Sequence, residues 1–308
     1  MASPDITGSA RPARSRNNGL SAAAPAAKVV KTQTNGGRTF GIVCAAVLTV
    51  FAVLWLLPSL WAIKTSLTAN SVAALGAESI LKDLHPTFSS YATLLKGGDL
   101  WNWYLSSAIT SVVSAALVVL FASMAGYALS RMRFRGRNIV FFAVIAGIMV
   151  PSNVLIIPIV QQLQAVHLLN TYWSVIFPQV PSVVALFVFK QFFDGIPVEL
   201  EESARLDGAS NWRIYRSIVM PLSKPVISAM AIVTFVGVWN NLILPLYTMS
   251  NPKLMTIPVG LASVQGSFGQ RYADIQASAI LGALPLVILF LVFQRRIVEG
   301  VAGTGLKG

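Results

Sequence analysis

Six long apolar runs leave few folds open to this sequence. They lie at about Phe40–Ile63, Asn102–Leu129, Asn138–Val160, Tyr172–Phe189, Val226–Tyr247 and Ile275–Phe293, and none has Asp, Glu, Lys or Arg away from its ends. Roughly 20 apolar residues in helical form cover the hydrocarbon core of a bilayer, and a helix satisfies its own backbone groups there. A soluble domain carries about 25% charged residues; this chain carries 11% and is 55% hydrophobic. The runs predict an all-α polytopic membrane protein with six transmembrane helices. No internal repeat is evident, so the inverted halves of many secondary transporters are not visible.

The formal charge of +12 would first suggest nucleic acid as a partner. Its distribution says otherwise. Basic residues gather at Arg11, Arg14, Arg16, Lys28, Lys31 and Arg38, at Arg131, Arg133, Arg135 and Arg137, and at Arg295, Arg296 and Lys307. All flank apolar runs. The alternate loops differ: 64–101 balances its charges, 161–171 has no Lys or Arg, and 248–274 has Lys253, Arg271 and Asp274. The positive-inside rule puts the basic clusters and both termini in the cytoplasm. The surface partner expected is membrane lipid, with no nucleic acid. Residues 1–38, poor in large apolar side chains, are expected to be a disordered basic cytoplasmic arm. Residues 39–296 then form the membrane domain and 297–308 a cytoplasmic tail. The arm also has the basic, acid-poor composition of a transit peptide, but a plain cytoplasmic tail ahead of a signal-anchor helix is the better reading.

Chemistry-bearing residues are sparse. The lone Cys44 makes no intrachain disulfide or Cys-based metal cluster, and no metal is expected. His85 and His167 fall in outer loops, which argues against an intramembrane Ser–His hydrolase. No G-x-x-x-x-G-K-[ST] phosphate loop is present.

One segment is polar against this background. "ELEESARLDGASNWRIYRSIVMPLSKP", from Glu199 to Pro225, holds four of the eleven acids. Pro197 suits a first helical position, and Glu199, Glu201 and Glu202 suit a helix N-terminus. Gly208 reads as a C-terminal cap and Ser210 as the N-cap of a second helix. In that helix Ile214, Tyr215, Ile218, Val219 and Leu222 share a face, and Pro221 and Pro225 redirect the chain before the fifth run. An ordinary connection is one reading. Its length, its small Ala204, Gly208 and Ala209, and its alternating Glu202, Arg205 and Asp207 favour a polar docking surface. The helix-turn-helix outline fits DNA poorly, because the segment's charges cancel.

"EESARLDGAS…PLSKP" resembles the EAA loop of the membrane subunits of binding-protein-dependent ABC importers. Glu202, Ala204, Asp207, Gly208, Ala209, Tyr215, Pro221 and Pro225 match that pattern; Ser203 and Met220 depart from it by small changes in bulk. "AGYALSRMRFRGR", "PSNVLIIP", "LLNTYWSVIFP", "TFVGVWNNLILPL", "TIPVGLASVQG" and "FQRRIVEGVAGTGLKG" resemble successive stretches of MalG-like carbohydrate permeases. Together they cover roughly residues 40–308. The resemblance implies the type I ABC importer permease fold in the inner membrane of a prokaryote. It implies that the loop at about 194–225, with Leu206 among its residues, is a coupling helix seated on a cytoplasmic ATPase. It also implies four kinds of expectation about partners: a homologous second permease, two ATPase subunits, an extracytoplasmic solute-binding protein, and ATP and Mg used by those ATPases rather than by this chain.

Sugar hydroxyls need uncharged donors and acceptors, and amides provide both. Asn153, Gln179, Thr234, Asn240 and Asn241 are therefore candidates for the translocation path, with Trp239 as a stacking platform, although packing in the core is the simpler role for that indole. The same polar groups also suit helix-to-helix hydrogen bonds. Gln161, Gln162 and Gln164 are candidates for the outer mouth. The carried solute is expected to be an oligosaccharide or related carbohydrate. A glycerophosphate or polyol is the alternative, and an ion-coupled carrier is the rival from another class, although such coupling usually leaves a carboxylate within the spans.

Overall fold

The structure is a computed structural model that describes the backbone of residues 35–97, 99–268 and 271–305, and side chains within 39–263 and 271–294. The expected basic arm up to residue 34 lies outside the described residues, as do the last three residues of the expected tail. Every regular element among the described residues is helical. Helix α1 (Asn35–Ser66) is followed by α2 (Asn70–Ala73), α3 (Ala77–Lys82), α4 (Ser89–Lys96) and α5 (Leu100–Arg131). Then come α6 (Arg137–Ala146), α7 (Ile156–Ala165), α8 (Trp173–Gln179), α9 (Val183–Asp194), α10 (Glu199–Leu206), α11 (Asn211–Ile214) and α12 (Met220–Leu222). The chain closes with α13 (Lys224–Trp239), α14 (Ile243–Thr248), α15 (Ile257–Phe268) and α16 (Tyr272–Gly305).

Three stretches are long and apolar enough to cross a membrane as single helices: Thr39–Ser66, Leu100–Arg131 and Tyr272–Gln294. Three further pairs of helices are bent, and each pair has the length and composition of one span. Arg137–Met149 meets Ser152–Ala165 at 91°, α8 meets α9 at 44°, and Asn211–Leu222 meets α13 at 78°. Proline explains two of the breaks. Val150, ahead of Pro151, is pushed into extended backbone. Pro181 has no N–H to give, and Ser182 starts a new helix by accepting from the Ala185 amide at 3.3 Å. The run expected over 226–247 is likewise divided, since α13 stops at Trp239 and α14 starts at Ile243.

By its internal contacts the chain divides into two units at Trp55 and Leu56. In the first, the described side chains from Thr39 to Trp55 are exposed except the half-buried Cys44. A helix apolar all round is one that lipid or other apolar helices cover. In the second unit, α5 is central. Its Ser107, Ser111, Ser114, Ala115, Ala122, Ser123 and Gly126 are buried, and such small residues let helices in a bilayer approach closely. A Cβ at Gly126 would stand 3.0 Å from the Phe189 Cβ and 3.1 Å from the Lys190 amide nitrogen. Two apolar clusters lie toward opposite ends of α5. One joins Val118, Phe189, Phe193, Ile214, Tyr215 and Val219; the other joins Leu100, Trp103, Trp239, Ile257 and Leu261.

The last helix differs from expectation at both ends. It begins at Tyr272, so Asp274, expected in a loop, lies in its first turn and is 1% exposed. Asn70 donates to its Oδ1 at 2.9 Å and Arg271 pairs with its Oδ2 at 2.8 Å, so the carboxylate is neutralised by neighbours. At the other end the helix runs to Gly305, through most of the stretch expected as a tail.

Candidate functional site

The charged segment folds as two short helices. α10 opens with Glu199, Glu201 and Glu202 at its positive end. Pro197 lies one residue before the N-cap, Val198, whose carbonyl accepts from Glu202 at 3.0 Å. The helix ends in a Schellman turn: Ala209 N–H donates to Ala204 O at 2.9 Å and Gly208 N–H to Arg205 O at 3.0 Å. Gly208 has φ +78°, which favours glycine. The Ser210 side chain then caps α11 by accepting from the Arg213 amide at 3.3 Å.

A π-helical turn over Tyr215–Val219 follows α11. It adds a residue to the turn, so the inward face passes from Tyr215 and Val219 to Ser223 rather than to Leu222. Ser223 is fully buried and donates to Val219 O at 2.6 Å, whereas Leu222 is 48% exposed. Periodicity of 3.6 residues had put Leu222 on that face; the π-turn removes it. Ile214 and Tyr215 anchor the segment in the core, and the Tyr215 hydroxyl lies 2.8 Å from Ser123 Oγ on α5.

A buried ion pair ties the segment to the rest of the chain. Arg131 Nε lies 3.1 Å from Glu201 Oε1, with the side chains 8% and 2% exposed. The Arg131 guanidinium also donates to the carbonyls of Phe193, in the last turn of α9, and of Ile196, just past its end. Beside it, Ser130 Oγ donates to Asp194 Oδ1 at 2.5 Å and Lys190 pairs with Asp194 Oδ2 at 2.7 Å. One guanidinium thus joins α5, α9 and α10. Sequence reasoning missed this joint. Arg131 reads as one more positive-inside arginine and Glu201 as one more N-terminal acid. Only the pairs Lys190–Asp194 and Glu201–Arg205, each four residues apart on one helix, are local contacts here.

The outward side of the segment carries Glu202, Ser203, Leu206, Asp207 and Gly208, all exposed; Leu206 reaches 90%. Trp212 is also exposed, at 57%. Ala204 and Ala209 instead pack against the chain's own core, so of the three small residues only Gly208 faces open space. Pro221 and Pro225 are exposed on either side of the 78° bend. The arrangement is a rigid double helix with an apolar knob, Leu206, inside a polar rim.

The path candidates are less convergent. Trp239 and Asn240 line one cleft of about 390 Å³ with Pro258, Leu261 and Gly282. Asn153, Gln179, Thr234 and Asn241 are not among its lining residues. The Trp239 indole is 4% exposed, donates to Gly282 O at 3.2 Å and stacks on Phe235. Its N–H and one ring face are therefore already occupied. Asn241 caps α14, its Oδ1 accepting from the Leu244 amide at 3.3 Å. Asn240 and Asn153 are exposed, and Gln179 and Thr234 half-buried.

Comparison with known proteins extends over most of the chain. The family described as binding-protein-dependent transport system inner membrane component matches residues 119–298, which include the two-helix segment. The arabinooligosaccharides transport system permease protein AraQ of Halalkalibacterium halodurans is 34% identical over 271 residues, 88% of this chain and 95% of that protein. The diacetylchitobiose uptake system permease protein NgcG of Streptomyces coelicolor is 29% identical over 89% of this chain and 92% of its own length. Among solved structures, a chain of a bacterial ABC transporter involved in import of the acidic polysaccharide alginate superposes with a TM-score of 0.71. It has 21% identity and covers 85% of this chain and 98% of its own, a likeness of fold.

Proposed function

The chain belongs to the family of binding-protein-dependent transport system inner membrane components, and on that premise we propose that it is the permease subunit of an ATP-driven importer of oligosaccharides or related carbohydrates. With a homologous second permease it forms the pathway across the inner membrane of a prokaryote. The three long helices, the bent pairs over 137–165 and 173–194, and α13 with α14 make six crossings, which leaves both termini in the cytoplasm. Two separate ATPase subunits bind and hydrolyse ATP with Mg, and an extracytoplasmic binding protein delivers the solute. The sugars in the names of the relatives, arabinooligosaccharides and diacetylchitobiose, support a sugar as cargo.

The observation that carries the coupling role is the construction of the segment from Glu199 to Leu222. It is capped at its turn, anchored by buried Ile214 and Tyr215, and joined to α5 by Arg131 and Glu201, yet it presents Leu206 outward. A surface held this stiffly passes a push from a docked motor domain to the helices as a rigid-body movement. Asn240 is the path residue best placed to meet solute, because it borders a cleft and is exposed.

Reconstitution with the partner subunits tests this reading. Asp207→Trp is expected to abolish sugar-stimulated ATP hydrolysis and uptake together. Unchanged coupling in that variant would reject the docking role. Labelling of a cysteine placed at Asp207, in a Cys44→Ser background, from outside intact cells would reject the topology.

A further inference from the structure

The four arginines after α5 are of two kinds. Arg131 turns inward to Glu201 and two carbonyls. Arg133 and Arg135 are exposed and Arg137 half-buried. Among the described residues none of these three forms an ion pair with a carboxylate. They line one open cleft of about 740 Å³ together with Phe134, Gly136 and Ile139. Three guanidiniums without counter-ions in one cleft make a strongly positive site that draws in phosphate by charge.

The neighbouring helix narrows the source of that phosphate. α6 starts at Arg137 and has no buried residue; Ile139 is 75% and Phe142 68% exposed. Gly136 (φ +84°) leaves its first turn without a side-chain cap, so an anion there also meets the positive helix end. A soluble anion would use the arginines alone. An amphiphile with a phosphate head and acyl tails uses both the cleft and the uncovered apolar helix. We propose that this cleft binds the headgroup of an anionic phospholipid, with its acyl chains along α6. This rests on the reading that α5 and α6 lie in the bilayer. Arg133 and Arg137 also border a second cleft of about 530 Å³ with Glu201, Glu202 and Arg205. The bound lipid therefore stands next to the segment assigned to the ATPase and supports its base.

Native mass spectrometry of the full-length chain in detergent, titrated with phosphatidylglycerol or phosphatidylcholine, tests the proposal. The wild-type chain is expected to retain phosphatidylglycerol preferentially. R133Q/R135Q/R137Q should lose about fivefold in that preference per arginine, since each basic residue near an anionic surface contributes about 1 kcal/mol. R133K/R135K/R137K keeps the charge and should keep most of the preference. K82Q/K96Q/K253Q removes as much charge elsewhere and should change nothing. Equal loss in that control, or in the lysine variant, would overturn the proposal. So would displacement of the lipid by inorganic phosphate at equal concentration, which would make this a free-phosphate site. Retained lipid preference in the glutamine variant, with loss of ATPase association, would make it a protein-docking site instead. The lipid measurement needs neither partners nor transport, so it stands or falls separately from the importer reading.

Discussion

Arg131 and Glu201, seventy residues apart in sequence, meet at 3.1 Å where almost no solvent reaches either side chain. Water cannot screen a pair so placed, and each member needs the other to justify its burial. Removing one leaves a buried charge alone, which costs about 3–5 kcal/mol. Glu201→Ala is expected to lower unfolding stability by that order. Arg131→Ala should cost more, because the Phe193 and Ile196 carbonyls also lose their donor. A double-mutant cycle on the detergent-solubilised protein measures the coupling. Additive losses would show that the two side chains do not act as a pair.

Gly208 isolates backbone strain from crowding. A Cβ there meets nothing within 4 Å, yet φ is +78°. The penalty for substitution is therefore conformational, about 1–2 kcal/mol for an ordinary residue and less for Asn. Uptake by reconstituted transporter is expected to fall in the order Gly208, Asn, Ala, Val. Equal activity of the Asn and Val variants would rule out the left-handed turn as the cause.

Leu206 is the reverse case, a large apolar side chain 90% exposed. Leu206→Ser should change the stability of the isolated subunit by no more than about 0.5 kcal/mol. It should weaken association with the ATPase subunits by about 2 kcal/mol, the scale of an interface hot spot. Thermal melts and binding titrations separate the two. A large drop in melting temperature would place Leu206 in the chain's own core instead.

Gly260 leaves no room for a side chain: an added Cβ would come within 2.2 Å of the Trp103 ring. Trp103 cannot move freely, since its indole donates to Pro252 O at 2.7 Å. Gly260→Ala is expected to destabilise by about 1–3 kcal/mol through overpacking. Trp103→Leu in the same chain should recover part of that loss, as read from melting curves. No recovery would mean the clash lies elsewhere.

The sequence made the helical class legible because long uncharged runs admit little else, and the turn at Gly208–Ser210 legible because its caps are local. The breaks at Pro151 and Pro181 were visible as prolines but not as angles, which depend on the helices packed alongside. Leu222 was misplaced because nothing in Tyr215–Val219 announces a π-turn. Trp239 was open to both packing and stacking, and its partner carbonyl at Gly282, 43 residues away, was not visible. Arg131 was indistinguishable from Arg133, Arg135 and Arg137 until folding brought Glu201 to it alone. Local chemistry carries through a sequence; the identity of a distant neighbour does not.

Helix α5 has 32 residues and no interior break, so it is about 48 Å long. At one end Arg131 grips the two-helix segment. Near the other, Ser107 accepts from the Ile257 amide at 2.8 Å and Trp103 holds Pro252. Such a rod is a lever: tilting it by 5° about one end swings the other through about 4 Å. Whatever displaces Glu201 therefore reaches residues 252–257 in a single mechanical step, with no hinge between them to absorb it.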